Sequence, residues 1–213
     1  MRTSGGSTVV MLIACAALAS AQEPDTLIAR LPVSGPVTYF IAEGDPVSAY
    51  RPGDRQLAMW ALDAWARSSN GALQFAQAEE RDARLRVYWV RATDDRYGEM
   101  RAFLLNGKRG AAVYIRPDTD GLGAIARLAR EDALLRETVV YLTCLHELGH
   151  ALGLTHTDRF ADIMYFFGYG GDIPSFFRRY RAQLTARADI GKVAGLSLVD
   201  ISRLRALYPA STQ

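Results

Sequence analysis

Histidine is scarce in this chain: three in 213 residues. Cysteine is scarcer, with Cys15 and Cys144 alone. Two cysteines in a chain of this size exclude a disulfide-built scaffold, which needs several. Charge of either sign is not in excess. Twenty-five basic and 23 acidic residues leave a formal charge of +2, so electrostatics give no case for a nucleic acid or an anionic membrane as partner. The apolar run Val9–Leu18 is too short to span a bilayer. Internal repeats, low-complexity tracts and a second domain are also lacking. What is present is 49% hydrophobic and 23% charged. That suits one globular domain with a good core.

Residues 1–21 read as a secretory signal peptide. Arg2 supplies the positive start, Val9–Leu18 the apolar stretch, and Ala19-Ser20-Ala21 an A-x-A cleavage site before Gln22. Removing a leader that contains Arg2 and no acids leaves a charge of +1. Leu12-Ile13-Ala14-Cys15 resembles a lipobox, so a lipid anchor at Cys15 is a minor alternative. A mature start at Gln22 leaves Cys144 without an intramolecular partner. It then reads as a small buried apolar residue in a fold that relies on its core. The expected location is secreted, periplasmic or extracellular, and the expected state a monomer.

All three histidines fall in one eleven-residue stretch, His146-Glu147-Leu148-Gly149-His150-Ala151-Leu152-Gly153-Leu154-Thr155-His156. This reads HExxHxxGxxH. On a helix, residues four apart are offset by about 40°, so His146 and His150 share a face and can reach one metal ion. Glu147 lies about 100° from His146, at the edge of that face. It can touch a metal-polarised water without being a ligand. Gly153 permits the left-handed backbone that ends a helix and lets the chain bring His156 back. Three protein nitrogens leave a fourth tetrahedral position open, the mark of a catalytic Zn2+. Zinc activates water and polarises a carbonyl, while Glu147 acts as general base and passes the proton to the leaving amine. An isolated HExxH arises by chance on amphipathic helices. The glycine, the third histidine and the lack of histidine elsewhere make chance a poor account. On the same helix Cys144 lies about 200° from His146 and should point away from the metal.

These residues resemble the metzincin zinc endopeptidases. Met164, in Asp162-Ile163-Met164-Tyr165, follows His156 by eight positions and resembles their Met-turn, which underlies the zinc as a hydrophobic floor. Within the clan the chain is most similar to matrixins (peptidase family M10). Thr157 after His156 is close to their usual serine, and His146 to Leu154 is typical of their active-site helix. Leu196-Ser197-Leu198-Val199-Asp200-Ile201, continuing to Ala206-Leu207-Tyr208, resembles their last helix. The strong motifs cover about 138–168 and 196–208. Phe166 stands where matrixins usually have proline, no cysteine-switch propeptide precedes the domain, and 166–195 is a long insertion.

The resemblance implies an α+β fold with a mixed twisted sheet, two long helices and a small C-terminal subdomain ending in a helix. One catalytic domain would span 22–213, with an upper subdomain near 36–153 and a lower one near 154–209. It implies a secreted zinc endopeptidase that hydrolyses internal peptide bonds, with His146, His150 and His156 on zinc, Glu147 catalytic, and Gly153 and Met164 structural. Two alternatives are a silent zinc-binding recognition module, which Glu147 argues against, and a zinc hydrolase of a non-peptide amide. Protein or peptide is the expected substrate. A structural Ca2+ is compatible with the chain, but no acidic loop stands out.

Along the chain, Val37–Ile41 reads as a strand. Asp54 is expected to cap a helix to about Ser68, with Leu57, Ala61 and Trp65 inward and Ala58 and Leu62 alongside; Asn70-Gly71 ends it. Leu85, Val87 and Trp89 alternate as a half-buried strand. Residues 99–104 and 111–116 are expected to pair around a loop at 106–110. A sheet edge should lie beside the cleft and add an extended peptide as a further strand; 99–104 is the candidate. The active-site helix is expected from about Asp132, with Leu134, Tyr141, Leu145, Leu148 and Leu152 buried. In the insertion, Pro174 to about Ala188 looks helical. Phe176, Phe177, Tyr180 and Leu184 lie on one side and Arg178, Arg179, Arg181 and Arg187 mostly on the other. This helix is expected either to wall the primed side of the cleft or just to pack with a solvated basic face. Ser197 should cap a final helix that buries Leu198, Ile201, Leu204 and Leu207 and stops at Pro209.

Overall fold

The computed structural model describes residues 29–91 and 97–210; residues 1–21, read above as a signal peptide, with Cys15 and Gln22, lie outside them. The strands are β1 (Val37–Ile41), β2 (Phe75–Gln77), β3 (Leu85–Trp89), β4 (Gly98–Leu105) and β5 (Lys108–Ile115). In β3, Leu85, Val87 and Trp89 face the core as their alternation requires. The order is β2-β1-β3-β5-β4. β1, β2, β3 and β5 pair in parallel, and β4 pairs antiparallel with β5. This is the expected mixed sheet, with 99–104 lying within an edge strand. The short strand β2, at the other edge, was not expected.

The β4–β5 hairpin is tighter than the sequence suggested. Its turn is Asn106-Gly107 alone, both at positive φ (50° and 71°). That is the two-residue geometry matching the twist of the strands, and it returns residues 108–110 to β5.

The helices are α1 (Asp54–Ser68), α2 (Ala124–Glu131), α3 (Ala133–Ala151), α4 (Ile173–Arg181) and α5 (Leu198–Leu207). α3 packs on β4, β5 and α1. Leu57, Ala58, Ala61, Leu62 and Trp65 of α1 are all buried. Asp54 is not the cap: Gly53 holds that position, and Asp54 is the first helical residue. Its carboxylate accepts from Arg51 N and is paired with Arg136 of α3, both side chains being almost fully buried. Arg136 also donates to Pro117 O at 3.0 Å. An acid at a helix start serves either role; the buried arginine decides this one.

α3 begins where expected, with Asp132 accepting from Leu134 N and Leu135 N. Tyr141, Leu145, Leu148 and Leu152 are buried, whereas Leu134 is half-buried. α4 is shorter than expected. It is capped by Asp172 and stops at Arg181, and a separate 3-10 turn forms at Arg187–Asp189. Phe176, Phe177, Tyr180 and Leu184 are buried. Ser197 caps α5 in a capping box with Asp200. Leu198, expected inside, is 85% exposed; as the first helical residue it points past the core that Leu204 and Tyr208 fill. The Tyr208 hydroxyl donates to Leu152 O and accepts from Leu31 N, tying α5 and the entry segment to the end of α3.

Candidate metal centre

α3 brings His146 and His150 to one face, and the chain reverses after Leu152 to return His156. Gly153 makes that reversal at φ +100°, and a Cβ there would lie 2.9 Å from the Arg30 backbone. Both conformation and space require glycine. Arg203 of α5 fixes the residue before His156, donating to Thr155 O at 2.9 Å and Thr155 Oγ1 at 2.6 Å.

The three imidazoles converge. His150 Nε2 lies 3.1 Å from His146 Nε2 and 3.1 Å from His156 Nε2. His146 Nδ1 donates to Ile163 O at 2.7 Å, and His150 Nδ1 donates to Leu154 O at 2.8 Å. A carbonyl can only accept, so these two rings carry their proton on Nδ1 and present a lone pair from Nε2. Facing lone pairs repel unless a cation sits among them. Zinc–nitrogen bonds of 2.0–2.1 Å in a tetrahedron set nitrogens about 3.4 Å apart. The donor set therefore fits a metal of that size.

Burial holds the rings neutral. Desolvation, ahead of smaller contributions from neighbouring groups, lowers the pKa of His146 to about 4 and that of His150 to about 3. It also lowers that of His156, the outermost of the three, with help from Arg203. Neutral imidazole is the ligating form.

Glu147 is buried and lines the same cleft as the three histidines. A Cβ at Gly98 would lie 2.7 Å from Glu147 Cγ, so the edge strand starts with the residue that clears this side chain. Met164 is fully buried. Thr157 bridges to Tyr165, and Met164 O accepts from Thr157 N at 2.8 Å. A Cβ on Gly149 would come within 2.4 Å of Met164 Sδ, which accounts for glycine at that point of α3. The turn is held from behind. Asp200 accepts from Ile163 N, Ser197 Oγ donates to Asp162, and Arg179 of α4 donates to Phe160 O and Ala161 O. Cys144 is fully buried, with its thiol pushed up by desolvation, and is not part of the cleft lining.

The cleft has a volume of about 540 Å³. β4 supplies Gly98, Glu99 and Met100 to one side. Phe166, in the place of the usual proline, lies 4.8 Å from the His156 ring, centroid to centroid. The insertion contributes Phe167, Phe176 and Phe177, and Tyr97 faces them from the start of the edge strand. Sequence reading did not place Tyr97 or Gly98 here. The expected basic face is solvated only in part: Arg178 is exposed, whereas Arg179 grips the turn, Arg181 pairs with Asp132 and, beyond α4, Arg187 pairs with Glu137. The helix both packs and lines the cleft.

The model of one protein family, described as matrixin, matches residues 34–171. Among curated proteins nothing matches the chain.

Proposed function

Because the chain belongs to the matrixin family and is a zinc metalloendopeptidase, we propose that it cuts internal peptide bonds at the His146/His150/His156 centre with Glu147 as general base. The observation that carries this is the opening of three converging ring nitrogens and one carboxylate onto a single cleft. Bound Zn2+ would supply the Lewis acid that polarises the scissile carbonyl and makes water nucleophilic near neutral pH.

The chain's own residues do the rest. His146 and His150, fixed through Nδ1 by backbone carbonyls, hold the ligand nitrogens in place, and His156 closes the set. The exposed side of β4 offers backbone groups to an extended peptide, positioning it without demanding a sequence. Glu147 accepts a proton from the attacking water at its carboxylate and returns it to the amide nitrogen as the C–N bond breaks. Apolar walls exclude bulk water and strengthen these interactions. Gly153 and Met164 hold the third ligand and the floor. A leader at 1–21 that exports a single catalytic domain at 22–213 completes the proposal. No helix among the described residues is long and apolar enough to cross a membrane.

The test is hydrolysis of a mixed peptide library by wild type and Glu147→Ala at equal zinc content. The expected loss on substitution is about 10²–10⁴-fold. Equal rates would remove Glu147 from the mechanism. Zinc without cleavage in either would favour a recognition module.

A further inference from the structure

The three histidines are not held alike. His146 and His150 are each fixed through Nδ1 by a backbone carbonyl, at 2.7 and 2.8 Å. Both lie on α3, which packs on the sheet and on α1. His156 lies beyond that helix, on the return after Gly153, and is exposed. Among the described residues no carbonyl meets its Nδ1; its ring nitrogens meet only His150, Nε2 to Nε2. Phe166 packs on its ring at 4.8 Å between centroids, but Phe166 is itself 41% exposed. A ring without an Nδ1 anchor is oriented only as well as its backbone is held.

That backbone is held on both flanks. After His156, Thr157 N donates to Met164 O at 2.8 Å, and Phe166 N donates to Thr157 O at 3.1 Å. Before it, Arg203 donates from Nη1 to Thr155 O at 2.9 Å and from Nη2 to Thr155 Oγ1 at 2.6 Å. Thr155 O belongs to the same planar peptide unit as His156 N and Cα. Gripping that oxygen therefore sets where the His156 Cα sits. The second bond stops the guanidinium from swinging about the first. A planar fork makes this pair of bonds, and a single lysine nitrogen cannot reproduce it. Arg203 is half-buried, which shields the clamp from water. It lies on α5, outside the residues 34–171 that match the family.

The grip runs against electrostatics. A guanidinium beside the residue that precedes a metal ligand repels a divalent cation. Its charge alone would weaken zinc binding, whereas its hydrogen bonds strengthen binding by keeping the third nitrogen in place. We propose that Arg203 is the positioning residue for His156, doing for the third ligand what backbone carbonyls do for the other two, and that it sets how long zinc stays bound. This rests on the zinc endopeptidase reading, but only through the metal.

The experiment is the rate of zinc transfer from the loaded protein to an excess of a chromophoric chelator, with thermal unfolding measured on the same samples. Arg203→Met keeps the apolar stem and removes the fork. It should release zinc about 10-fold faster or more. Arg203→Lys, which keeps the charge and one of the two bonds, should fall between Arg203→Met and wild type. Thr155→Val removes only the hydroxyl acceptor and should have a smaller effect than Arg203→Met. Added to Arg203→Met it should bring no further loss, because the two residues share one interaction. Arg205→Met is the control. Arg205 lies on the same helix and donates to Ser68 O at 2.9 Å, so its removal loosens α5 without touching Thr155. Zinc release from that variant should stay at the wild-type rate. Unchanged release from Arg203→Met would overturn the proposal, and slower release would overturn it by showing that the charge alone acts. Equal acceleration in Arg203→Met and Arg205→Met would reduce the clamp to helix packing and overturn it too. Wild type that holds no zinc would overturn the metal reading and the clamp with it. Cleavage does not enter the readout, so zinc held without hydrolysis would remove the protease reading and leave the clamp standing.

Discussion

His150 shows how far the centre is fixed by single residues. Its Nδ1–H reaches Leu154 O, four residues on and across the glycine that ends the helix. The orientation of the ring therefore depends on the backbone at Gly153. Gly153→Ala should unfold at lower urea concentration, by about 1–3 kcal/mol or more. It places a side chain at φ +100° and against the Arg30 backbone. Zinc affinity should fall in the same variant. Unchanged stability and affinity would mean that the reversal has other support. The eleven-residue stretch was readable because helix geometry alone brings its residues together. Tyr97 was not placed in advance, and Phe176 and Phe177 only as part of a helix that would either wall the cleft or just pack, since the meeting of all three depends on contacts between segments distant in the chain. Asp54 was misread for the same reason: a local rule describes a cap, and the deciding partner, Arg136, lies 82 residues away.

At the scale of elements, α3 is the frame. It carries two histidines and Glu147, packs on β4, β5 and α1, and is tied to α1 by the buried Arg136–Asp54 pair. Removing one partner strands a buried charge, so Asp54→Ala should cost about 3–5 kcal/mol of stability. The metal ligands are not touched, so zinc content and activity per folded molecule should hold. Thermal unfolding read beside zinc content separates these outcomes; a loss of zinc at full stability would contradict the assignment. Sequence periodicity placed β1, β3, α1 and α3 because each buries one regular face; α5 was placed by its Ser197 cap and the stop before Pro209, and of its expected inward residues only Leu204 is buried while Ile201 and Leu207 are half-buried. Periodicity overextended α4. Apolar spacing continues to Leu184, but the backbone turns after Arg181, where the arginine donates to Leu184 O and pairs with Asp132. Leu198 was misassigned because capping places it in the first turn without saying which way that turn faces.

Over the whole molecule, one contiguous core runs from the sheet through α1 and α3 to the turn at Met164 and on to α4 and Tyr208. The cleft opens where that core is lined by the edge strand on one side and by the insertion on the other. General mixed-sheet architecture followed from element order and resemblance. The shape of the cleft did not, because it is set by how the insertion folds back on α3. The central claim is that three neutral imidazoles at the end of α3 hold one zinc ion with a position left open. X-ray absorption at the zinc edge, on protein with its metal content measured, tests it most directly. The account predicts one zinc per chain, a first shell of nitrogen and oxygen at about 2.0–2.1 Å with three imidazoles, and no sulfur. Sulfur at about 2.3 Å, or fewer than three imidazoles, would contradict it.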